Sequence, residues 1–369
     1  MKIGVITFHA SHNYGSMLQA WALQTYLKQL GNDVEIVNYR SRTQRIIYHK
    51  PISFNRRDVA LASIKRILLN SQSIKPLYQK WHLFENFLND ELKITEEFHT
   101  LDALVTLNDR YDLLICGSDQ IWNTNAPDSG GAYYGNWFMG DKISYAASLG
   151  QEPEYCSISF LKQQVKGFKA IACREERSLD FLVNKGIVNE GYVVCDPTLL
   201  LDAQDYDFLI SDEPLIKGDY VFFYTPVGLP YAYFDIASDI GRELGCMVVT
   251  DKAYYPKDIK LYGNISTYIP TGPKEFLNLI RYAKCVCGGS FHLQVFSILF
   301  QKDFYCINGD KDSRTNHLMN QLGLQDRIIS LNKPKQRAPL KVDYKNGTDQ
   351  ALNDYRKTSV QFLTQYVHE

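Results

Sequence analysis

Residues 3–37, IGVITFHASHNYGSMLQAWALQTYLKQLGNDVEIV, decide the fold class. The run from Ile3 to Phe8 is short and apolar, as expected of a buried parallel strand. After a loop, an amphipathic helix ending at Gly31 is indicated by the i, i+3, i+4, i+7 spacing of Leu23, Tyr26, Leu27 and Leu30. Residues 34–37 form a second apolar run. A strand, a helix and another strand predict a βαβ unit, and hence an α/β fold with a parallel sheet.

The same alternation of apolar strands and helices continues along the chain in two series. A polar, Asp-rich stretch over 202–219 separates them, and a chain of 369 residues exceeds one typical domain. We therefore predict an N-terminal Rossmann-like lobe over 1–205 and a second Rossmann-like lobe over 216–335. Residues 336–369 are predicted to form a C-terminal helical tail.

The overall composition argues against several classes of function. The formal net charge is −1 and the pI is about 6.7, so we expect no nucleic-acid partner. The eight cysteines lie mostly in apolar runs, as buried thiols of a reducing compartment do. Cys285-Val286-Cys287 has no second Cys/His pair nearby to complete a zinc site, so we expect no metal. No stretch approaches the roughly 20 apolar residues of a membrane span, and we expect a soluble, cytoplasmic protein.

A local exception to this charge balance is the run from Arg40 to Lys80. It contains ten basic residues, and Asp58 is its only acidic residue. One interpretation is a solvated basic insertion on the surface of the first lobe. The other is a patch that contacts anionic lipid headgroups or a phosphate-bearing acceptor, which predicts peripheral membrane contact through residues 40–80.

Five polar or glycine-rich loops each follow directly on an apolar strand. They are residues 9–16, 117–123, 174–176, 196–198 and 288–292. In open α/β sheets, ligands bind outside the carboxyl ends of the strands. We therefore expect the five loops to converge on one cleft, with the last loop facing the other four from the second lobe.

The first of these loops contains Asn13-Tyr14-Gly15-Ser16 and precedes a helix, whose free backbone N–H groups are suited to an anion. The alternative is that Ser16 only caps the helix. His9 and His12 flank the loop, and each is a candidate to contact substrate. No G-x-G-x-x-G or G-x-x-x-x-G-K-[ST] loop is present, which argues against nucleotide use as in dehydrogenases or kinases.

The second loop contains Ser118, Asp119 and Trp122. A carboxylate beside an exposed Trp is suited to hold a sugar hydroxyl while the apolar face of the sugar packs on the indole. The alternative is that Asp119 caps the turn that follows it.

Arg174 ends a strand and begins a helix, from which a guanidinium can grip a carboxylate or phosphate in bidentate fashion. The alternative is a surface ion pair with Glu175 or Glu176. Asp196, followed by Pro197 and Thr198, is expected to cap a turn and to be structural.

Gly288-Gly289-Ser290-Phe291-His292 is the strongest single signal. Two glycines allow a ligand to approach the backbone closely, and Ser290 is placed to cap the next helix. His292 lies in the first turn of that helix, beside N–H groups that favour anions, so we predict that it is catalytic.

Together these motifs resemble the polysaccharide pyruvyl transferase family. The resembling segments run in order over about residues 3–330: ITFHASHNYGSMLQAWALQTYL, DLLICGSDQIWN, YAASLG, CREERSLDFL, VVCDPTLLLD, GPKEFLNLIRYAKCVCGGSFHLQVFSILF and RTNHLMNQLGLQDRI. Where characterised members commonly have Arg-Leu-His, this chain has Ser290-Phe291-His292, so one donor-binding arginine is missing.

The resemblance implies a GT-B-like fold, no obligatory metal or other cofactor, phosphoenolpyruvate as donor, and a saccharide or lipid-linked saccharide as acceptor. It implies that His292 is the general acid and that Arg174 anchors an anion; Asp119 is then a base or an acceptor clamp. Backbone amides after Gly289 are available to supplement the missing arginine. Two other classes stay open, namely a GT-B glycosyltransferase that uses a nucleotide sugar and a non-catalytic carbohydrate-binding relative.

Overall fold

The structure is a computed structural model that describes residues 1–54, 57–150, 157–226, 231–251, 262–267 and 270–367. It confirms the α/β fold with two parallel sheets. Among the ten basic residues of segment 40–80 and the eight cysteines, Arg56 and Cys156 lie outside the described part. The other seven cysteines are buried and free.

The first lobe is built on six parallel strands. Four of them form one sheet in the order β2-β1-β3-β4: β1 (Lys2–Ile6), β2 (Asp33–Ile36), β3 (Leu113–Cys116) and β4 (Asp141–Ser144). The short strands β5 (Ala172–Cys173) and β6 (Tyr192–Val193) pair with each other. Parallel bridges from Ile143 to Ala170 and from Ala147 to Cys173 join this pair to the β4 edge. The βαβ unit predicted over residues 3–37 is therefore confirmed.

The second lobe is built on a six-stranded parallel sheet in the order β12-β11-β10-β7-β8-β9. Its strands are β7 (Tyr220–Tyr224), β8 (Met247–Thr250), β9 (Ile265–Thr267), β10 (Cys285–Gly288), β11 (Phe304–Ile307) and β12 (Ile328–Ile329). In both sheets the strand order reverses beside the first strand of the lobe, which is the point at which α/β proteins bind ligands.

The helices of the described residues are α1 (Tyr14–Gln29), α2 (Arg42–Ile47), α3 (Arg57–Glu91), α4 (Leu101–Leu104), α5 (Ser157–Gln164), α6 (Glu176–Asn184), α7 (Tyr231–Leu244), α8 (Pro273–Tyr282), α9 (Phe291–Leu299), α10 (Ser313–Gln321) and α11 (Thr348–Val367). Within these residues, none is long and apolar enough to cross a bilayer. Helix α3 spans 35 residues and runs through Pro76.

Helix α1 is not amphipathic as predicted, because both lobes pack on it. Every residue from Tyr14 to Gln24 is buried, and α1 contacts α8 and α9 of the second lobe as well as its own sheet. The Tyr14 ring stacks between Phe84 of α3 and Phe276 of α8, with centroid distances of 5.2 and 4.5 Å. The Tyr14 hydroxyl donates to Asp251 Oδ2 of the second lobe (2.6 Å). Lys80 Nζ of α3 contacts the same oxygen at 2.7 Å.

The last helix, α11, returns to the first lobe. The Cys195 N–H donates to Ser359 Oγ (2.8 Å), and the Phe362 ring lies against Tyr145 and Tyr192. The stretch predicted as a linker is also packed, since it contains a 3₁₀ helix over Ala203–Leu209.

Candidate active site

The loops at the carboxyl ends of the strands line a polar cavity of about 280 Å³ between the lobes. Its walls are formed by Phe8, Ser11, Asn13, Ser16, Tyr48, Asp119, Gln120, Ala126, Asp128, Pro226, Ser290, Phe291, His292 and Arg314. Loops 9–16, 117–123 and 288–292 therefore meet at one cleft, as the strand-end argument predicts. Loops 174–176 and 196–198 lie behind its wall, as the contacts of Arg174 and Asp196 show.

His292 enters the cavity from the first turn of α9. Ser290 caps this helix, because its side chain accepts the N–H of Leu293 at 3.4 Å, and this prediction is confirmed. The His292 Nε2 atom lies 3.3 Å from Asp196 Oδ2. Burial by itself raises the pKa of Asp196, but the facing His292 and Arg174 outweigh it and hold the pKa well below its usual range. Asp196 is thus a buried carboxylate that faces the imidazole of His292.

Gly15 forms the floor on which the His292 ring packs. A Cβ atom placed on Gly15 would lie 2.0 Å from His292 Nδ1 and 2.4 Å from its Cγ. Such a contact is far inside van der Waals distance, so any larger residue would displace the imidazole. Gly288 is similarly confined, since a Cβ there would lie 1.8 Å from the carbonyl oxygen of Tyr224 on the neighbouring strand. Gly15 positions the histidine, whereas Gly288 lets β10 and β7 approach each other.

Arg174 is buried behind the cavity wall among three carboxylates. Its Nη1 atom donates to Asp196 Oδ2 at 2.7 Å, Nη2 lies 3.6 Å from Asp119 Oδ1, and Nε lies 3.8 Å from Glu175 Oε2. Burial alone lowers the pKa of the guanidinium, but these carboxylates raise it above its usual range. The alternative interpretation, a surface ion pair, is wrong in its location, because the contact with Glu175 is buried. The expected direct grip on a substrate anion also differs from this structure, because Arg174 is 2% exposed and does not line the cavity.

Asp119 lies in the left-handed backbone region (φ 76°) and presents its carboxylate to the cavity. Ser16 Oγ donates to Oδ2 at 2.6 Å, and the Gln120 N–H donates to Oδ1 at 2.8 Å. Asp119 therefore does cap the turn after it while also lining the cleft.

The cap of α1 differs from both interpretations of its loop. Asn13 Oδ1, not Ser16, accepts the N–H groups of Gly15 and Ser16, at 3.0 and 3.3 Å. These two amides are therefore not free for an anion. The Ser16 side chain is used instead to hold Asp119.

Several predicted substrate contacts lie away from the cavity. The expectation that Trp122 is exposed is wrong: its indole is fully buried and stacks on Tyr134. Ser118 is also fully buried and donates to the Ala146 carbonyl. His12 Nε2 contacts Glu85 Oε1 at 2.7 Å. His9 contacts the Thr7 carbonyl and Asn38 through its two ring nitrogens. Tyr14 and Gly289 are likewise not among the lining residues.

Two charged residues of the site were missed. Asp196 does cap a turn, since its Oδ1 accepts from the Thr198 N–H, but its other oxygen contacts both His292 and Arg174. Arg314 begins the RTNHLMNQLGL segment and lines the cavity from the first turn of α10. Its Nη2 atom lies 2.6 Å from Asp312 Oδ2, and its guanidinium lies 5.7 Å from the centroid of the Phe291 ring. The signal that was available for Arg314 is its place in the first turn of a helix that follows a strand.

Tyr48 and Asp128 complete the opposite wall and were also missed. The Tyr48 hydroxyl lies 3.4 Å from Asp128 Oδ2. Burial raises the pKa of Asp128, and the nearby Asp119 adds to the effect. Among the residues that the structure describes, no group of three or more His, Cys, Asp or Glu side chains is arranged to hold a metal ion.

The fold and the cleft define a two-lobed α/β protein of the GT-B class with a charged site between its lobes. A family model for polysaccharide pyruvyl transferase matches residues 13–311, and the chain belongs to this family. The resemblance found in the motifs is thereby confirmed.

The fold is also similar to solved sugar-nucleotide enzymes. UDP-GlcNAc 2-epimerase from Rickettsia bellii is 9% identical over 100% of this chain and 96% of that chain, with a TM-score of 0.50. A structure from Listeria monocytogenes, described provisionally as UDP-N-acetylglucosamine 2-epimerase, is 10% identical over 97% and 89%, with a TM-score of 0.53. At these identities the similarity establishes the fold alone. No curated protein sequence matches the chain.

Proposed function

We propose that the protein transfers the pyruvyl group of phosphoenolpyruvate to two hydroxyls of a saccharide and forms a pyruvate ketal. The observation that carries this proposal is the His292–Asp196 pair at the cleft of a chain that belongs to the polysaccharide pyruvyl transferase family. A lipid-linked saccharide is included among the proposed acceptors. No metal or other cofactor is proposed.

The reaction divides into two additions. Protonation of the methylene carbon of phosphoenolpyruvate generates an oxocarbenium-like centre at C2, and one sugar hydroxyl attacks it and loses its proton to a base. Loss of inorganic phosphate regenerates an electrophilic C2, and the second hydroxyl closes the ketal as its proton passes to the departing phosphate. The site must therefore supply an acid, a base and cations for two anionic groups.

We assign the acid to His292, because Asp196 fixes its Nε2 side and Gly15 supports its ring. Asp119 is the proposed base, since its carboxylate lines the cavity and is held by Ser16 and Gln120. Arg174 is proposed as a positioning residue, because it is buried against Asp196 and Asp119.

Arg314 is proposed to bind the donor anion in place of the missing motif arginine. It lines the same cavity as Ser290 and His292, and it lies over the face of Phe291. Asp312 accepts from its Nε and Nη2 atoms, and the other edge of the guanidinium, Nη1 with Nη2, is suited to bind a phosphate or a carboxylate.

Ligand binding tests the donor directly. We expect phosphoenolpyruvate to raise the melting temperature of the purified protein, with no change on addition of EDTA. UDP- and GDP-sugars are measured in parallel. A shift with a nucleotide sugar and none with phosphoenolpyruvate would replace this proposal by a glycosyltransferase, and no shift with either would favour a non-catalytic carbohydrate-binding role.

Turnover tests the role of His292. With an acceptor saccharide, His292→Ala is expected to lose phosphate release by about 10²–10⁴-fold, the usual contribution of a general acid. His99→Ala is the matched control, because His99 has a 44% exposed side chain and does not line the cavity. Near wild-type turnover of a folded His292→Ala protein would contradict the assignment.

A further inference from the structure

The first half of α3 has one buried face and one exposed apolar face. Val59 and Ser63 are buried, and Ser63 Oγ bonds with the backbone N–H and C=O of Ser53. On the opposite side, Leu61, Ile64 and Leu68 are 70%, 45% and 76% exposed. They lie at positions i, i+3 and i+7, which places them along one stripe of the helix.

We refer to Leu61, Ile64 and Leu68 as the α3 apolar face. Phe54, which follows the helix-bonded Ser53, is a further exposed apolar residue of the same segment, with a side chain that is 60% exposed. Large apolar side chains clustered on an exposed helix are costly in water and commonly mark an interaction surface.

The charge of the segment that carries the α3 apolar face is strongly one-sided. Two of the ten basic residues between positions 40 and 80 are already paired, Arg40 with Glu85 and Lys80 with Asp251. Of the remaining eight, Arg42, Arg45, Lys50, Lys65 and Lys75 are exposed.

Two of these lysines lie on the same side of α3 as the apolar face. Lys65 follows Leu61 by four residues and Lys75 follows Leu68 by seven, which are spacings of one helix side. An exposed apolar stripe with lysines beside it is the pattern of a helix that lies in the headgroup region of an anionic bilayer.

We propose that the α3 apolar face docks on an anionic lipid membrane, with Lys65, Lys75 and the other exposed basic residues that the structure describes in segment 40–80 contacting lipid phosphates. A second copy of the chain fits less well, because a symmetric contact would bring two such basic segments together. The lipid surface satisfies both the apolar and the cationic side chains. This proposal does not depend on the proposed reaction, since it concerns binding without substrates.

Vesicle co-sedimentation tests the proposal. The full chain is expected to bind phosphatidylcholine vesicles that contain phosphatidylglycerol, to bind pure phosphatidylcholine vesicles more weakly, and to dissociate as salt is raised. The double substitution Leu61→Gln, Leu68→Gln is expected to weaken binding to the anionic vesicles at least about tenfold, because two apolar side chains no longer enter the membrane.

Met139→Gln is the matched control, since Met139 is an 87% exposed apolar residue outside segment 40–80. It is expected to bind vesicles as the wild type does. Circular dichroism and light scattering on all three proteins check their folding and mass. Absence of wild-type binding, or equal binding by the double variant, would overturn the proposal. So would a wild-type dimer that becomes monomeric in the double variant without any vesicle binding, because the face would then join two copies.

Discussion

Arg314 reaches the cavity from α10, beside the Ser290-Phe291-His292 motif that lacks an arginine. If it binds the donor, Arg314→Met should raise the KM for phosphoenolpyruvate roughly 10–100-fold, the value of a lost charge-assisted hydrogen bond, with a smaller change in kcat. The KM of Arg314→Lys should lie between those of the wild type and Arg314→Met, because lysine keeps the charge but not the bidentate geometry.

The control for Arg314 is Arg242→Met. Arg242 is also paired with an aspartate close in sequence, Asp239, but its side chain is 57% exposed on the surface. Steady-state kinetics with phosphoenolpyruvate as the varied substrate separates KM from kcat. An unchanged KM in Arg314→Met would remove Arg314 from the donor site.

Asp196 links the site to the stability of the first lobe. Asp196→Asn leaves the buried Arg174 charge without its closest partner, and should lower the free energy of unfolding at pH 7 by about 3–5 kcal/mol. Because the pKa of Asp196 is lowered on folding, its contribution is present above about pH 4 and is lost as the pH falls further. As the pH falls below 5, the free energy of unfolding of the wild type should therefore decrease more than that of Asp196→Asn.

Urea unfolding at several pH values measures this difference. Asp128→Asn serves as the comparison, because the pKa of Asp128 is raised and its ionised form is not stabilised by folding. This variant should keep or increase stability at pH 7. If the free energy of unfolding decreases equally with falling pH in the wild type and in Asp196→Asn, the ionisation of Asp196 does not contribute to folding stability.

Helix α1 carries Gly15 at the point where it meets the imidazole of α9. Alanine is favoured over glycine in helices by about 1 kcal/mol, so Gly15→Ala should fold. Its Cβ would lie 2.0 Å from His292 Nδ1, so the ring must move, and turnover should fall on the order of 10²-fold. Gly130→Ala is the control, since no heavy atom lies within 4 Å of its Cβ position and its backbone is extended. Full activity of Gly15→Ala would show that the ring position is not critical.

The elements that the sequence predicts well are the strands and the loops that follow them. Short apolar runs identify the strands, and the loops after them are brought to one cleft by the parallel topology. Burial of α1 on all sides could not be predicted, because polar residues such as Ser16 and Gln24 are buried only through tertiary hydrogen bonds, which the sequence pattern does not show. The first half of α3 gives no clear core pattern, because Leu61, Ile64 and Leu68 face outward.

The charged pairs of the site were harder to predict than its loops. An aspartate before proline is typical of a turn cap, and Asp196 does cap a turn through Oδ1. Nothing in the sequence indicates that its other oxygen, Oδ2, faces His292. Trp122 was expected in the cleft because it follows Asp119 closely, but the turn directs the indole into the core. Only the packed structure distinguishes these cases.

At the scale of the whole molecule, the lobes are joined through Tyr14. Tyr14→Phe keeps the ring between Phe84 and Phe276 but removes the hydroxyl that donates to Asp251. Since a buried hydrogen bond to a charged group is lost, the free energy of unfolding should fall by about 1–3 kcal/mol. Urea unfolding provides the measurement.

Tyr262→Phe is the matched control for Tyr14→Phe. Its hydroxyl donates to Asp235 Oδ1 at 2.5 Å, but the bond is exposed and lies within the second lobe. This variant should change stability by no more than about 0.5 kcal/mol. Equal changes in the free energy of unfolding for the two substitutions would show that the hydrogen bond between the lobes stabilises the protein no more than an exposed one.

The return of α11 to the first lobe sets an order of events during synthesis on the ribosome. Domains made early in a chain generally fold as they emerge, before later domains are translated. Here the core around Cys195, Tyr145 and Tyr192 is completed by Ser359 and Phe362, which are translated after the entire second lobe. The first lobe therefore leaves the ribosome with this surface uncovered, and only the synthesis of α11 covers it.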